Sequence, residues 1–288
     1  MPGDLRTPAG DLPTSRRAVV MGVLNVTPDS FSDGGRAYDP ADHPGRAVAA
    51  GRALLAAGAD LVDVGGESTR PGADPVDPDE EAARVVPVVA ALASTGAVVS
   101  VDTRHTAVAR AALDVGAAVV NDVGATAPDD GMLAAVAAAD AAYVAMHMRG
   151  EPRTMQADPV YLDVVAEVEA ALLAAVTGAV AAGIAPDRIA IDPGIGFGKT
   201  LPQNLALLAA LPRLAAHGPP VLVGTSRKSF LGRLTGVDAP DGRLAGSLSS
   251  AVLAVRDGAR IVRVHDVAET VAALRVRDAI DAVGEGPA

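Results

Sequence analysis

Cysteine and tryptophan are absent from the 288 residues, and there are only three phenylalanines and three tyrosines. Without cysteine the chain has no disulfide, no thiolate metal site and no sulfur nucleophile, which fits a reducing compartment. With so few aromatics, the 50% hydrophobic content must build its core mainly from Ala, Val and Leu, a composition that suits helices packed on buried parallel strands. Positive charge is also in deficit: the formal net charge is −11, against the basic face that nucleic-acid binding requires. An anionic small molecule stays open as a ligand wherever a few basic residues converge. No secretory signal pattern is present, and no apolar stretch reads as long and unbroken enough to span a bilayer. The expectation is therefore a cytoplasmic protein with no membrane or nucleic-acid partner.

A further absence concerns Ile191-Asp-Pro-Gly-Ile-Gly-Phe-Gly-Lys-Thr200, which ends like a nucleotide-binding P-loop. That loop needs Gly, four residues, then Gly-Lys-Ser/Thr. Here the spacing from Gly194 is one residue short, and Pro193 stands where the first Gly belongs. Proline has no N–H for a phosphate and cannot take a positive φ. The stretch needs another explanation.

What is present is alternation. Short β-branched runs at Val19 to Asn25, Asp60 to Val64, Ala97 to Val101, Ala118 to Asn121, Tyr143 to His147, Arg188 to Ile191, Pro220 to Gly224 and Arg260 to His265 predict eight strands. Ala-rich amphipathic stretches follow them, among them Pro44 to Ala57, Asp79 to Ala93, Thr106 to Val115, Val160 to Ala182 and Ala268 to Val283. Gly58, Gly96, Gly116, Gly183, Gly218 and Gly258 sit where helices should end. The pattern predicts an α/β fold, a single (β/α)8 TIM barrel over residues 17–283, with a flexible leader at 1–16 and a frayed tail at 284–288. A doubly wound open sheet is the alternative, but the first βα turn lacks Gly-x-Gly-x-x-Gly.

In such barrels the active site is built at the C-terminal ends of the strands. Those ends read Asn25, Asp63 to Glu67, Asp102, Asn121-Asp122, His147, Asp192, Gly224 to Lys228, and Arg263-Val-His265. Each polar residue alone could be a helix cap or a turn former; all eight ends together are hard to assign to caps. Arg263 and His265 are two apart on one strand and face the same side, with Val262 and Val264 on the other. A buried Arg263 needs either an anion or an internal carboxylate partner. Together with Arg227 and Lys228 it predicts a basic mouth at strands seven and eight, where barrel enzymes often bind phosphate. Asn25 beside it could hold a magnesium ion arriving with a diphosphate. Across the barrel Asp102, Asn121 and Asp192 supply acceptors over an apolar floor, which suits a flat amino-pyrimidine heterocycle, although carboxylates so placed could also form a metal cluster.

Longer segments carry a resemblance. Val20-Met-Gly-Val-Leu-Asn-Val-Thr-Pro-Asp-Ser-Phe-Ser-Asp-Gly-Gly35 and Asp63-Val-Gly-Gly-Glu-Ser-Thr-Arg-Pro-Gly72 closely resemble the two signature segments of the dihydropteroate synthase family, and Asp192 to Lys199, Gly224 to Ser229 and Ile261 to Asp266 add to the match. The family condenses 4-aminobenzoate with 6-hydroxymethyl-7,8-dihydropterin diphosphate in folate biosynthesis. The resemblance implies that Asp102, Asn121, Asp192 and Lys228 hold the pterin, with Met146, Phe197 and Gly224 also substrate-binding. Arg263 would stack on it and reach the diphosphate with His265, and Asn25 would reach it through Mg2+. Phe31 and Asp33 in the first loop and Thr69, Arg70 and Pro71 in the second would close over the site, and Ser229 would help hold 4-aminobenzoate. It also implies a homodimer through barrel helices, for which Leu248 to Val255 could supply an apolar face or instead fill the monomer's own core. Sulfonamides should compete with 4-aminobenzoate. A non-catalytic pterin-binding paralogue and a methyltetrahydrofolate-dependent methyltransferase of related barrel type remain the other readings.

Overall fold

In the computed structural model, which describes residues 3–27, 43–68, 72–127, 131–157 and 159–284, eight parallel strands close into a barrel in chain order. They are β1 (Val19–Asn25), β2 (Leu61–Gly65), β3 (Val98–Asp102), β4 (Val119–Asp122), β5 (Ala142–Met146), β6 (Ile189–Asp192), β7 (Val221–Val223) and β8 (Ala259–Val264). The helices between and after them are α1 (Gly45–Ala56), α2 (Pro78–Ala93), α3 (Thr106–Asp114), α4 (Met132–Ala138), α5 (Val164–Ala181), α6 (Leu201–Ala209), α7 (Leu211–Ala215), α8 (Ser229–Thr235), α9 (Leu244–Arg256) and α10 (Val267–Gly284). Each expected strand is found within two residues of its predicted ends. The six inter-element glycines all have φ between +81° and +108°, the left-handed caps that release the chain from each helix. The predicted helix from Val160 starts later, at Val164, because Asp163 caps it by accepting from the N–H groups of Val165 and Ala166.

Strand periodicity sorts the side chains. Val20, Val62, Val64, Val99, Val101, Val120, Tyr143 and Ile189 face outward into the layer shared with the helices, and Val262 and Val264 join them as expected. Val19, Met21, Leu61, Val119, Val144, Ala190, Leu222 and Ile261 face inward and fill the barrel floor.

Residues 3–16 are not a loose leader. Leu5 and Leu12 pair as an antiparallel bridge, are 1% and 3% exposed, and pack into the same floor cluster as Val19 and Leu61. Thr14 Oγ1 accepts from the Leu5 N–H at 3.0 Å, and the Arg6 N–H donates to the Asp187 carbonyl at 2.9 Å. The physical reason is the open N-terminal end of the barrel: two leucines on a tight turn cover apolar strand starts, each burial contributing roughly 1.5–3 kcal/mol. A second expectation is also corrected. Helix α5 is long and apolar enough to cross a membrane by length and composition. In the fold it buries Val168, Leu172 and Ala179, with Val164, Val165, Ala175 and Val176 packed partly buried against the core.

Candidate active site

Inward parity carries upward from the apolar floor to polar side chains at the C-terminal mouth. Asn25, Asp63, Asp102, Asn121, Met146, Asp192 and Arg263 continue the inward rows of their strands. Asp122 and His147 fall on the opposite parity. Asp122 accepts from the Tyr143 hydroxyl at 2.7 Å and from the Gly124 N–H at 2.8 Å, and so serves packing rather than the mouth.

One half of the mouth is a charge network centred on Arg263. Its Nε donates to Asp63 Oδ2 and its Nη2 to Asp102 Oδ2, each at 2.6 Å. Asp63 Oδ2 also accepts from Asn121 Nδ2 at 3.0 Å. The internal ion pair weighed for Arg263 is therefore present, with two carboxylates rather than one. Asp63 is wholly buried, and the sequence marks it only as a polar strand end. Its signal was parity, since it lies two residues after inward Leu61. Burial works against the Arg263 charge, but Asp63 and Asp102 outweigh it and hold the guanidinium protonated. Burial pushes the Asp102 carboxyl up to about 7 against the pull of Arg263. Asp63 Oδ1, Asp102 Oδ1 and Asn121 Oδ1 are buried acceptors with no donor among the described residues. A native protein rarely leaves three such atoms together without a use.

The other half gathers Asp192, Phe197, Gly224 and Lys228. Asp192 is buried and accepts from the Gly194 N–H at 2.7 Å. Burial raises its carboxyl, opposed by the Lys228 charge. Burial lowers Lys228 to about 8, opposed by Asp192. The Lys228 ammonium donates to the Ile195 carbonyl and lies 4.6 Å from the Phe197 ring centroid. A Cβ at Gly224 would come within 3.8 Å of Lys228 Nζ, so a glycine there keeps the side of the cleft low. Met146 pairs with Asp192 across β5 and β6 and is buried.

Between β7 and β8, Ser226 Oγ accepts from the His265 N–H at 3.2 Å and lies 3.0 Å from His265 Nδ1. With the hydroxyl donating to Nδ1, the imidazole carries its hydrogen on Nε2. Arg227 lines the same cavity as Lys228, Arg263 and His265, as expected. It sits at φ +59° and its guanidinium is paired with Asp266 and Asp241, each at 2.5 Å. Ser229 is exposed at the rim, at the start of α8. No described residue hydrogen-bonds the Asn25 side-chain amide. Phe31, Asp33, Thr69, Arg70 and Pro71 lie outside the described residues.

Of these groups, Asn25, Asp102, Phe197, Lys228, Arg263 and His265 line a cavity of about 640 Å3, within the size range of small-molecule sites. Fold and site define a (β/α)8 barrel with a flat, acceptor-rich cleft at its C-terminal mouth and cations at one edge. The pterin binding enzyme family matches residues 21–265, and the chain belongs to that family, among the dihydropteroate synthases. The dihydropteroate synthase of Mycobacterium leprae is 54% identical over 264 residues, covering 89% of this chain and 91% of that one. The crystal structure of the Yersinia pestis dihydropteroate synthase in complex with a sulfonamide drug superposes with a TM-score of 0.91 at 44% identity, covering 97% and 99% of the two chains. The Xanthomonas albilineans enzyme with 4-aminobenzoic acid gives 0.88 at 46% identity and covers all of both.

Proposed function

We infer that the chain is a transferase that joins 4-aminobenzoate to (7,8-dihydropterin-6-yl)methyl diphosphate, giving 7,8-dihydropteroate and diphosphate. The observation that carries this reading is the trio of buried acceptors on Asp63, Asp102 and Asn121 at the strand ends, of which Asp102 lines one cavity with Phe197, Lys228 and Arg263. A pterin presents N–H donors along one edge and flat apolar faces, and the cleft offers their complement.

The bond to form is from the arylamine nitrogen to the pterin CH2; the bond to break is from that carbon to the diphosphate oxygen. The amine is neutral and attacks as it stands, and the proton it then loses passes to the released diphosphate. The electron-rich pterin supports positive charge at the CH2, so the residues have two tasks: to receive the leaving anion and to keep water away. Arg263 and the His265 imidazole are the groups at the diphosphate end. Lys228 fixes the ring over Phe197, and Asp192 reads its edge. Ser229 at the rim is the contact for 4-aminobenzoate.

Magnesium fits the same end. One uncharged amide oxygen, on Asn25, with no donor upon it among the described residues, is the kind of single ligand that leaves most of the coordination to a diphosphate and water. When bound, the ion would neutralise charge on the leaving group. The homodimer contact falls on α9 and α10. There Ala251, Ala254 and Val255 fill the monomer's own core, while Leu253 on α9 and Val276, Ile280 and Val283 on α10 leave apolar side chains exposed. The lack of cysteine supports a cytoplasmic setting.

Incubating the purified chain with both substrates and Mg2+ tests the activity, with dihydropteroate measured by chromatography and methyltetrahydrofolate offered in parallel. Dihydropteroate without methyl transfer is expected. Methyl transfer, or pterin binding with no product, would overturn the reading in favour of the two alternatives.

A further inference from the structure

The chain contains two lysines, Lys199 and Lys228, and both grip the same loop. Lys199, the last residue of the Gly-rich stretch after β6, is 2% exposed. Its ammonium donates to the carbonyls of Gly194 and Phe197, each at 2.9 Å, and of His147 at 3.2 Å, and lies 3.1 Å from His147 Nδ1. All four partners are acceptors provided the imidazole is neutral. Burial, aided by the Lys199 charge, brings His147 down to about 3 and so keeps it neutral. From the cleft side Lys228 takes the Ile195 carbonyl, and Gln156 Nε2 takes that of Gly196 at 2.7 Å. Four successive carbonyls, from Gly194 to Phe197, are thus held by side chains from two directions.

The glycines make that grip possible. At Gly194, φ +65°, a Cβ would overlap the His147 carbonyl oxygen, and at Gly198, φ +65°, it would overlap that of Arg149. The loop therefore lies flat on the chain leaving β5, and Lys199 fastens the two together. The residues whose placement depends on this are Asp192, bonded to the Gly194 N–H, and Phe197, whose carbonyl Lys199 holds. We propose that Lys199 is a positioning residue: although it borders the cavity, its ammonium is spent on protein acceptors and fastens the 192–199 loop to His147, so that Asp192 and Phe197 meet the heterocycle in a fixed geometry. The assignment of the heterocycle rests on the function proposed above; the fastening itself does not.

With two lysines, protein grown on 13C,15N-lysine gives two side-chain signals, which permits a test in the wild-type chain. At pH 6 the Lys199 ammonium should show protons protected from exchange with solvent, and the Lys228 ε-CH2 should be displaced upfield by the Phe197 ring. In Lys199→Met the Lys228 signal should move toward its random-coil position. The KM for the pterin diphosphate should rise roughly tenfold or more, the scale of losing hydrogen bonds from a charged donor, with kcat at saturation and the KM for 4-aminobenzoate changed much less. Lys199→Arg, which retains a charged donor, should recover part of the KM. Rapid exchange at Lys199 in the wild type would overturn the proposal, as would a folded Lys199→Met with an unmoved Lys228 signal and unchanged pterin KM. If the wild type makes no dihydropteroate, the functional reading fails while the two lysine signals still decide the fastening.

Discussion

Arg263 Nε and Asp63 Oδ2 lie 2.6 Å apart although 200 residues separate them in the chain. The contact spans the barrel mouth from β8 to β2 and draws in Asn121 through the same oxygen. Removing Asp63 leaves Arg263 with Asp102 alone and strands the Asn121 amide. Asp63→Ala should lower stability by about 3–5 kcal/mol, as for other broken buried pairs, read as a fall in the urea midpoint. Asp63→Asn, which keeps an oxygen acceptor without the charge, should fall between. Wild-type stability in Asp63→Ala would show that the network is not needed to hold the mouth.

His105 on the approach to α3 and Glu81 on α2 are 2.7 Å apart. The hydrogen bond to Glu81 raises the imidazole above its ordinary 6.5, with burial opposing. A folded pKa above the unfolded one means that the pair's contribution is complete below about pH 6.5 and is lost as pH rises through the folded value. Stability measured across that window should decline in the wild type more steeply than in His105→Asn. Parallel curves would remove the pair from the account.

Much of this was legible in the sequence, and for identifiable reasons. Period-two runs and left-handed glycines located the strands and helix ends, because both follow from local backbone geometry. Parity put Arg263 on the inward face, and the rule that barrel sites sit at the strand ends picked out Asp102 and Asp192. What escaped was of longer range. The pairing of Arg227 with Asp266 and Asp241 depends on how β7 and β8 exit the barrel, and neither partner could be read from local pattern. Lys199 resembled a phosphate ligand because its motif ends in Gly-Lys-Thr, and only the closed barrel brings His147 against it. Leu5 and Leu12 lack any periodic neighbours, and the floor they cover is assembled from all the strands.

That floor offers its own check. Leu5→Ala should cost about 2–5 kcal/mol and lower the melting temperature while leaving kcat near wild type, since the plug and the active site occupy opposite ends of the barrel. An unchanged melting temperature would return residues 3–16 to the status of a loose leader.

The central claim is that this mouth directs an amine onto the pterin CH2 with departure of diphosphate through carbon–oxygen cleavage. It is tested most directly with the bridging oxygen of the diphosphate ester labelled with 18O and both products followed by mass spectrometry. Equimolar dihydropteroate and diphosphate are predicted, with the label wholly in the diphosphate. Label retained on a hydroxymethyl pterin, or diphosphate released without dihydropteroate, would contradict it.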